Sequence, residues 1–462
     1  MSGAEPADKI PPSPSVSLIS LGCPRTLVDS EHHLGKLAQS GFTVRRDPEN
    51  ADVVIINTCA FVQDAIKESI DTVLQTVELK KRGKIKTVIV AGCLVQRFKD
   101  ELIKELPEVD GFVGADGFGE IQTVVEQALA GKQVKSLRVR PRTMQWEEGS
   151  FRAPLSPLHY AYLKISEGCL KGCSFCIIPK IKGPLVSRSI ESLVSEARQL
   201  VEERGVKELI VVGQDTSDYG TDLYGRARTA ELLQALAKIN GLKWIRLLYC
   251  HPHGLTDEII NVIRDEPAMC KYLDIAIEHA DDHVLKRMNR LVTQSELREK
   301  IARLRARVPD IVLRTSVVVG FPGETEATFE RMLDFLREIR FERLGAFTYS
   351  RERGSASYNY PNQVPAPVAQ QRLARLMELQ QHIAQELNEA LVGQILDVVI
   401  DEPDASEPDQ YLGRTRADCP EVDGSVFVKS RRALSPGTWL PVRITDSYEY
   451  DLVGISAADA TA

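Results

Sequence analysis

At 462 residues the chain is too long for one core, and two or three domains are expected. A hydrophobic share of 43% excludes a largely disordered chain, and 58 Lys+Arg against 65 Asp+Glu leave a formal net charge of −7. No run approaches eighteen apolar residues, and the first residues hold neither a basic cluster nor an apolar stretch, so neither a membrane helix nor a secretory signal is expected.

Residues 1–15, rich in Pro, Ser and Ala, read as a disordered tail. The nine cysteines then belong to a reducing, cytoplasmic setting in which thiols are available to hold metal. Three of them close the same local pattern. Val16-Ser-Leu-Ile-Ser-Leu-Gly-Cys23, Val53-Val-Ile-Ile-Asn-Thr-Cys59 and Thr87-Val-Ile-Val-Ala-Gly-Cys93 are β-branched runs ending in a thiol, at intervals of 36 and 34 residues. Helical patterns at 29–38 and 61–77 fill the gaps, as parallel βαβ crossovers require. Parallel strands bring their carboxyl ends to one edge, so Cys23, Cys59 and Cys93 are expected to meet there as ligands of a cluster. The competing reading is three buried structural thiols, each unremarkable alone.

Residues 133–158 hold Pro141, Pro154 and Pro157 and few periodic apolar positions. They read as a linker between a first domain at 16–132 and a second at 159–390. The second domain carries Gly168-Cys-Leu-Lys-Gly-Cys-Ser-Phe-Cys-Ile-Ile-Pro179, which sets Cys169, Cys173 and Cys176 in C-x3-C-x2-C spacing. Three thiolates leave a 4Fe-4S cubane one protein ligand short, so one iron is open to a substrate or cofactor. Zinc favours paired C-x2-C knuckles, and a disulfide framework belongs to small secreted chains. Six β-patterns, at 161–165, 209–212, 244–248, 273–277, 313–319 and 344–348, alternate with helical stretches such as 190–204 and 295–307. That rhythm predicts a partial (β/α)6 barrel with its chemistry at the carboxyl ends of the strands. Polar groups gather there: the cysteine triplet, Gly213-Gln-Asp215, Cys250-His-Pro-His253, Glu278-His279, Gly320-Phe-Pro-Gly-Glu324 and Tyr349-Ser350.

Residues 365–391 read as one amphipathic packing helix, with Leu373, Leu376, Ile383 and Leu387 on its stripe. Beyond it, 391–457 shows strand patterns at 395–400, 425–428 and 440–444 broken by Pro, Gly and Asp. This is the composition of a small antiparallel barrel of the kind that docks polymers.

Five stretches are specific enough to identify a family: Leu21-Gly-Cys-Pro-Arg-Thr-Leu-Val-Asp-Ser-Glu31, Lys164-Ile-Ser-Glu-Gly-Cys169, Val212-Gly-Gln-Asp-Thr-Ser-Asp-Tyr-Gly220, Arg314-Thr-Ser-Val-Val-Val-Gly-Phe-Pro-Gly-Glu324 and Tyr450-Asp-Leu-Val-Gly454. With them the chain resembles the radical S-adenosylmethionine (SAM) methylthiotransferases over about residues 16–454. Within these it is most similar to the members that modify a ribosomal protein. The resemblance implies an α/β multidomain architecture: a parallel N-terminal methylthiotransferase domain, a TIM-like radical-SAM barrel and an OB-like TRAM barrel. It implies two 4Fe-4S clusters, one binding SAM on Cys169, Cys173 and Cys176, the other an auxiliary cluster on Cys23, Cys59 and Cys93. SAM would serve as radical source, through 5'-deoxyadenosyl, and as methyl donor, with sulfur delivered at the auxiliary cluster. The implied reaction is β-methylthiolation of an aspartyl residue of a basic small-subunit ribosomal protein. An unactivated C–H bond lies beyond any side-chain acid or base, so a cofactor has to break it.

By the same resemblance Gln214, Glu278 and Arg314 are expected to contact SAM, and a flavodoxin or ferredoxin to supply electrons. Ribosome association, a cytoplasmic location and no membrane partner are also implied. Family members usually carry Lys-Asn where this chain has Arg25-Thr26, and Pro-Leu-Gln-His where it has Ala276-Ile-Glu-His279. The remaining Cys250, Cys270 and Cys419 share no spacing and read as inert thiols; His251 and His253 beside Cys250 make a weak zinc motif. Two rivals stand: a tRNA-adenosine methylthiotransferase and a two-cluster electron-transfer protein. Residues 391–462 hold six basic and thirteen acidic residues, a net −7, which suits a cationic protein better than phosphates.

Overall fold

A computed structural model describes residues 13–115, 117–136 and 151–460. The chain forms two compact units, Met1–Leu155 and Ser156–Ala462. Residues 1–12 of the expected tail lie outside the described residues, and its last residue, Ser15, already opens a strand.

The first unit is a parallel sheet of β1 (Ser15–Ser20), β2 (Thr43–Val44), β3 (Val53–Thr58), β4 (Thr87–Gly92), β5 (Gly111–Gly114) and β6 (Val134–Ser136), in the order β2-β1-β3-β4-β5-β6. Every residue of β3 and β4 is buried, which is why their sequences are near-continuous apolar runs with no alternation. The helices Pro24–Gln39 and Gln63–Lys81 make the crossovers. β6 falls inside the segment expected as a linker. So does a return of the chain onto the first unit: Arg152 is buried against the buried Glu31, whose Oε1 also accepts the Leu155 N–H at 3.0 Å. The expected linker is therefore shorter at both ends, and its middle, 137–150, lies outside the described residues.

In the second unit the strands β7 (Tyr160–Lys164), β10 (Glu208–Val212), β11 (Trp244–Cys250), β12 (Met269–Ile275), β13 (Val312–Val319) and β14 (Arg343–Thr348) form one parallel sheet in the order β14-β13-β12-β11-β10-β7. A hairpin of β8 (Ser166–Glu167) and β9 (Val186–Ser187) stands between the first two strands in sequence. The strand faces divide sharply. Leu209, Val211, Ile245, Leu247, Leu313 and Val317 enter the helix-covered core, whereas the alternate residues Tyr160, Tyr162, Glu208, Arg246, Tyr272, Asp274 and Arg314 make an inner wall rich in charge.

The helix Ala366–Glu389 leads into a closed barrel of β15 (Ile395–Pro403), β16 (Gln410–Thr415), β17 (Val426–Lys429), β18 (Trp439–Ser447) and β19 (Leu452–Ser456), in the order β15-β16-β17-β19-β18. The sequence pattern showed three of these strands; β16 and β19 are broken by Gly413 and Gly454 and escaped it. Residues 414–423 of this small barrel supply the counter-charges of the inner wall. Arg414 and Arg246 share Glu208, Asp418 accepts from Arg343 at 2.7 Å, and Asp423 takes the Tyr272 hydroxyl at 2.7 Å and faces Arg314 at 3.4 Å.

Candidate functional site

The carboxyl edge of the first sheet carries Cys23, Cys59 and Cys93 on three adjacent strands. Register pairs Ser20 with Asn57 and Thr58 with Gly92, so the three thiols follow one another across the edge. Gly22 has φ +93°, and a Cβ there would stand 2.6 Å from Cβ and 3.1 Å from Sγ of Cys59; only glycine lets the Cys23 turn approach the second thiol so closely. Burial works against a Cys23 thiolate, but the Arg25 charge and hydrogen bonds from Thr26 and Arg25 outweigh it and bring the thiol down to about 7. Burial pushes Cys59 up, and a charge on Cys23 pushes it further. Arg25-Thr26 thus retains a cation and a hydroxyl beside the first thiol, with Thr26 Oγ1 at 3.6 Å from Cys23 Sγ.

The second triplet lies at the rim of the large sheet, just after β8. Each of its thiols is met by a nitrogen donor: Lys171 N to Cys169 Sγ at 3.3 Å, Ile178 N to Cys176 Sγ at 3.4 Å, and Arg290 Nη1 to Cys173 Sγ at 3.2 Å. Burial, followed by the charges of its neighbours, pushes Cys169 up to about 11 and Cys176 up to about 12. Thiols that hinder one another's ionisation while being offered N–H donors are arranged for a cationic centre, which reverses the protonation preference on binding. Both triplets therefore fit iron-sulfur clusters. Among the described residues no three His, Cys, Asp or Glu side chains form a cage for a single ion.

The rest of the rim is held by its own motifs. Asp215 Oδ1 accepts from Ser217 N at 2.9 Å and Ser217 Oγ at 2.6 Å, fixing the loop in which Gln214 donates to Glu167 Oε1 at 3.4 Å. Burial disfavours charge on Glu167, yet Lys164 and Lys182 hold its carboxyl well below the usual range. Both Glu324 oxygens accept the Gly320 N–H at 3.0 Å while Arg372 binds Oε1 at 2.7 Å, so the Gly-Phe-Pro-Gly-Glu turn is closed by its own carboxylate. The structure brings Gln214 and Glu278 to the rim. Arg314 sits five residues short of the end of β13, its Nη1 3.1 Å from Asp274 Oδ1. The Arg314 motif runs continuously into the rim turn, and sequence alone does not tell how far down the wall its first residue lies.

Glu278 combines a φ of +66° with backbone pairing to Ser316 and Val318 at 2.9 and 2.8 Å, a strained conformation that the flanking ladder enforces. Burial pushes its carboxyl above the ordinary range, with Asp274 adding to the rise and Arg290 opposing it. A raised acid costs stability as pH climbs past its unfolded value near 4.3. Glu278→Gln is accordingly expected to melt a few degrees higher than the parent at pH 8, with the gain vanishing at pH 4, and to keep SAM binding. A variant that melts lower at pH 8 would show that the carboxylate has a specific partner.

Lys171, Lys182 and Arg290 were not marked in the sequence, where a Lys or Arg in a loop carries no pattern. Cys250, Cys270 and Cys419 are all buried: Cys250 belongs to the apolar core, whereas Cys270 and Cys419 both neighbour Arg246 and Glu208. His251 Nδ1 accepts the His253 N–H at 3.1 Å while His253 Nδ1 lies 3.2 Å from Leu291 O, so the two rings are engaged separately.

Residues 163–336 match the Radical SAM superfamily, 15–114 the Uncharacterized protein family UPF0004 and 392–456 the TRAM domain. The chain is 44% identical over 441 residues to the ribosomal protein uS12 methylthiotransferase RimO of Desulforamulus reducens, covering 96% of this chain and 99% of that protein. It is 47% identical over 440 residues to the protein of the same name from Caldanaerobacter subterraneus subsp. tengcongensis, covering 95% and 99%. In fold it is similar to the radical S-adenosylmethionine methyltransferase TsrM of Kitasatospora setae, with a TM-score of 0.56 over 92% of this chain and 84% of that one at 15% identity.

Proposed function

Since this chain belongs to the RimO family of ribosomal protein uS12 methylthiotransferases, we propose that it β-methylthiolates an aspartyl residue of uS12. The observation that carries this reading is the presence of two three-thiol sites, one across the carboxyl edge of the first parallel sheet and one in the loop just after β8 at the rim of the second. Cys169, Cys173 and Cys176 would hold one 4Fe-4S cluster and Cys23, Cys59 and Cys93 the other. Bound there, such clusters would supply the electron for SAM cleavage and the site for the transferred sulfur.

The chain's own residues orient and shield. Gln214 and Glu278 would contact SAM from the rim, and Lys164 and Lys182 keep Glu167 ionised beside Gln214. Arg314 supports the same rim from below: it pairs with Asp274, whose Oδ2 accepts the Tyr249 N–H at 3.0 Å. Asp215 and Glu324 fix their turns so that the walls are formed before SAM arrives. The acidic C-terminal barrel suits a basic ribosomal protein, encountered free or on the ribosome. A flavodoxin or ferredoxin would deliver electrons, in the cytoplasm. No helix among the described residues is long and apolar enough to cross a membrane.

Incubating reduced, anaerobic protein with uS12 and SAM tests the reading by mass spectrometry of the aspartyl peptide. The parent should add a methylthio group and release 5'-deoxyadenosine. Cys59→Ala should keep the release and lose the transfer. Modification of tRNA and not of uS12 would overturn the assignment.

A further inference from the structure

Arg290 follows the helix Asp282–Met288 and is 4% exposed. Its Nη1 donates to Cys173 Sγ at 3.2 Å, its Nη2 donates to the Ala276 carbonyl, and its Nε is buried without a hydrogen-bond partner. None of these contacts is with a carboxylate. A buried guanidinium left so is costly unless an anion joins it; the side chain it meets is Cys173, with the Glu278 carboxyl near enough to feel its charge.

A second buried donor stands beside it. His251 is 5% exposed, and because its Nδ1 accepts the His253 N–H, its proton resides on Nε2, which is buried and has no partner. Burial first, then the charges of Arg290 and Lys171, hold this ring neutral, down to about 2, so it remains a single-proton donor at any working pH. His251 N and Lys171 Nζ both meet the Asp215 carboxylate, at 3.3 and 3.6 Å, which brings His251 near the residue whose backbone nitrogen reaches Cys169. Hydrogen bonds to the sulfurs and nearby charge are what set the potential of an iron-sulfur centre.

We infer that Arg290, with the Nε2–H of His251 beside it, is a positioning wall that raises the reduction potential of the cluster on Cys169, Cys173 and Cys176. The inference rests on reading that triplet as a cluster site. A fixed cation and aimed N–H groups favour the more negative, reduced cluster, so removing them lowers the potential. Neither residue need touch SAM or substrate.

The test is an EPR-monitored redox titration of the reconstituted full chain, with Cys23→Ala, Cys59→Ala and Cys93→Ala in every arm so that one cluster reports. Arg290→Gln is expected to lower the ratio of reduced to oxidised cluster at least tenfold at fixed ambient potential, about 59 mV for one electron. Arg290→Lys, which restores the charge but not the fork, should recover part of that loss, and His251→Phe should shift the ratio the same way by less. Full iron in Arg290→Gln at an unchanged potential would overturn the inference. If that variant loses its iron, Arg290→Lys and His251→Phe decide, and an unchanged potential in both overturns it. A parent arm with no cubane signal would remove the cluster reading itself and the inference with it.

Discussion

Replacing Cys169, Cys173 and Cys176 together by alanine is expected to abolish release of 5'-deoxyadenosine from SAM and to leave about half of roughly eight iron atoms. The effect is large because the three thiols are the protein ligands a cubane would need there, and the nitrogen donors that meet them offer protons, not lone pairs. It should also be local. The three cysteines are partly exposed and lie outside the apolar clusters of the second unit, so the variant should melt near the parent's apo midpoint. Iron and sulfide assays with product chromatography check it. A folded variant that retained all its iron, or still released 5'-deoxyadenosine, would show that the triplet is not the cluster site.

Glu208→Ala is expected to be the most damaging single change away from the thiols. Glu208, Arg246 and Arg414 are 1%, 0% and 2% exposed, and the one carboxylate serves both guanidinium groups. Removing it leaves two cations buried with half of their partners gone, and breaking a buried pair costs about 3–5 kcal/mol. At roughly 2–4 °C per kcal/mol, the melting midpoint should fall by on the order of 10 °C. The C-terminal barrel should unfold with the large one, because Asp418 and Asp423 hold Arg343 and Arg314 in the same way. Scanning calorimetry measures both. A midpoint within about 2 °C of the parent would mean that water reaches the network and screens it.

The same network marks where sequence reasoning stopped. The three-thiol edge of the first unit was legible because its cause is local: each cysteine closes a β-branched run, and the 36- and 34-residue intervals are the length of one βα unit. The six-strand rhythm and the polar residues at its rim were legible for the same reason. β16 and β19 were not, since a glycine inside a short strand erases the alternation that announces it. β6 and the return of Arg152 to Glu31 were hidden because their segment has no period, and only burial of a charge 121 residues away gives it a place.

Sequence alone determined the cluster chemistry, the parallel strand order of motifs and the family, because these follow from spacing along a chain whose strands and helices have fixed repeats. Tertiary structure alone decided what those motifs rest on. Arg246, Arg314 and Arg343 alternate with apolar residues and would pass for a solvated strand face, yet they are an interior wall neutralised in part by 414–423, with Arg414 and Glu208 meeting across 206 residues. Arg290 likewise becomes a neighbour of Cys173 only because the turn after Met288 brings it there, across 117 residues of chain. Counter-charges in a low-dielectric interior are chosen by proximity in space, and that proximity is set by the path of the whole chain.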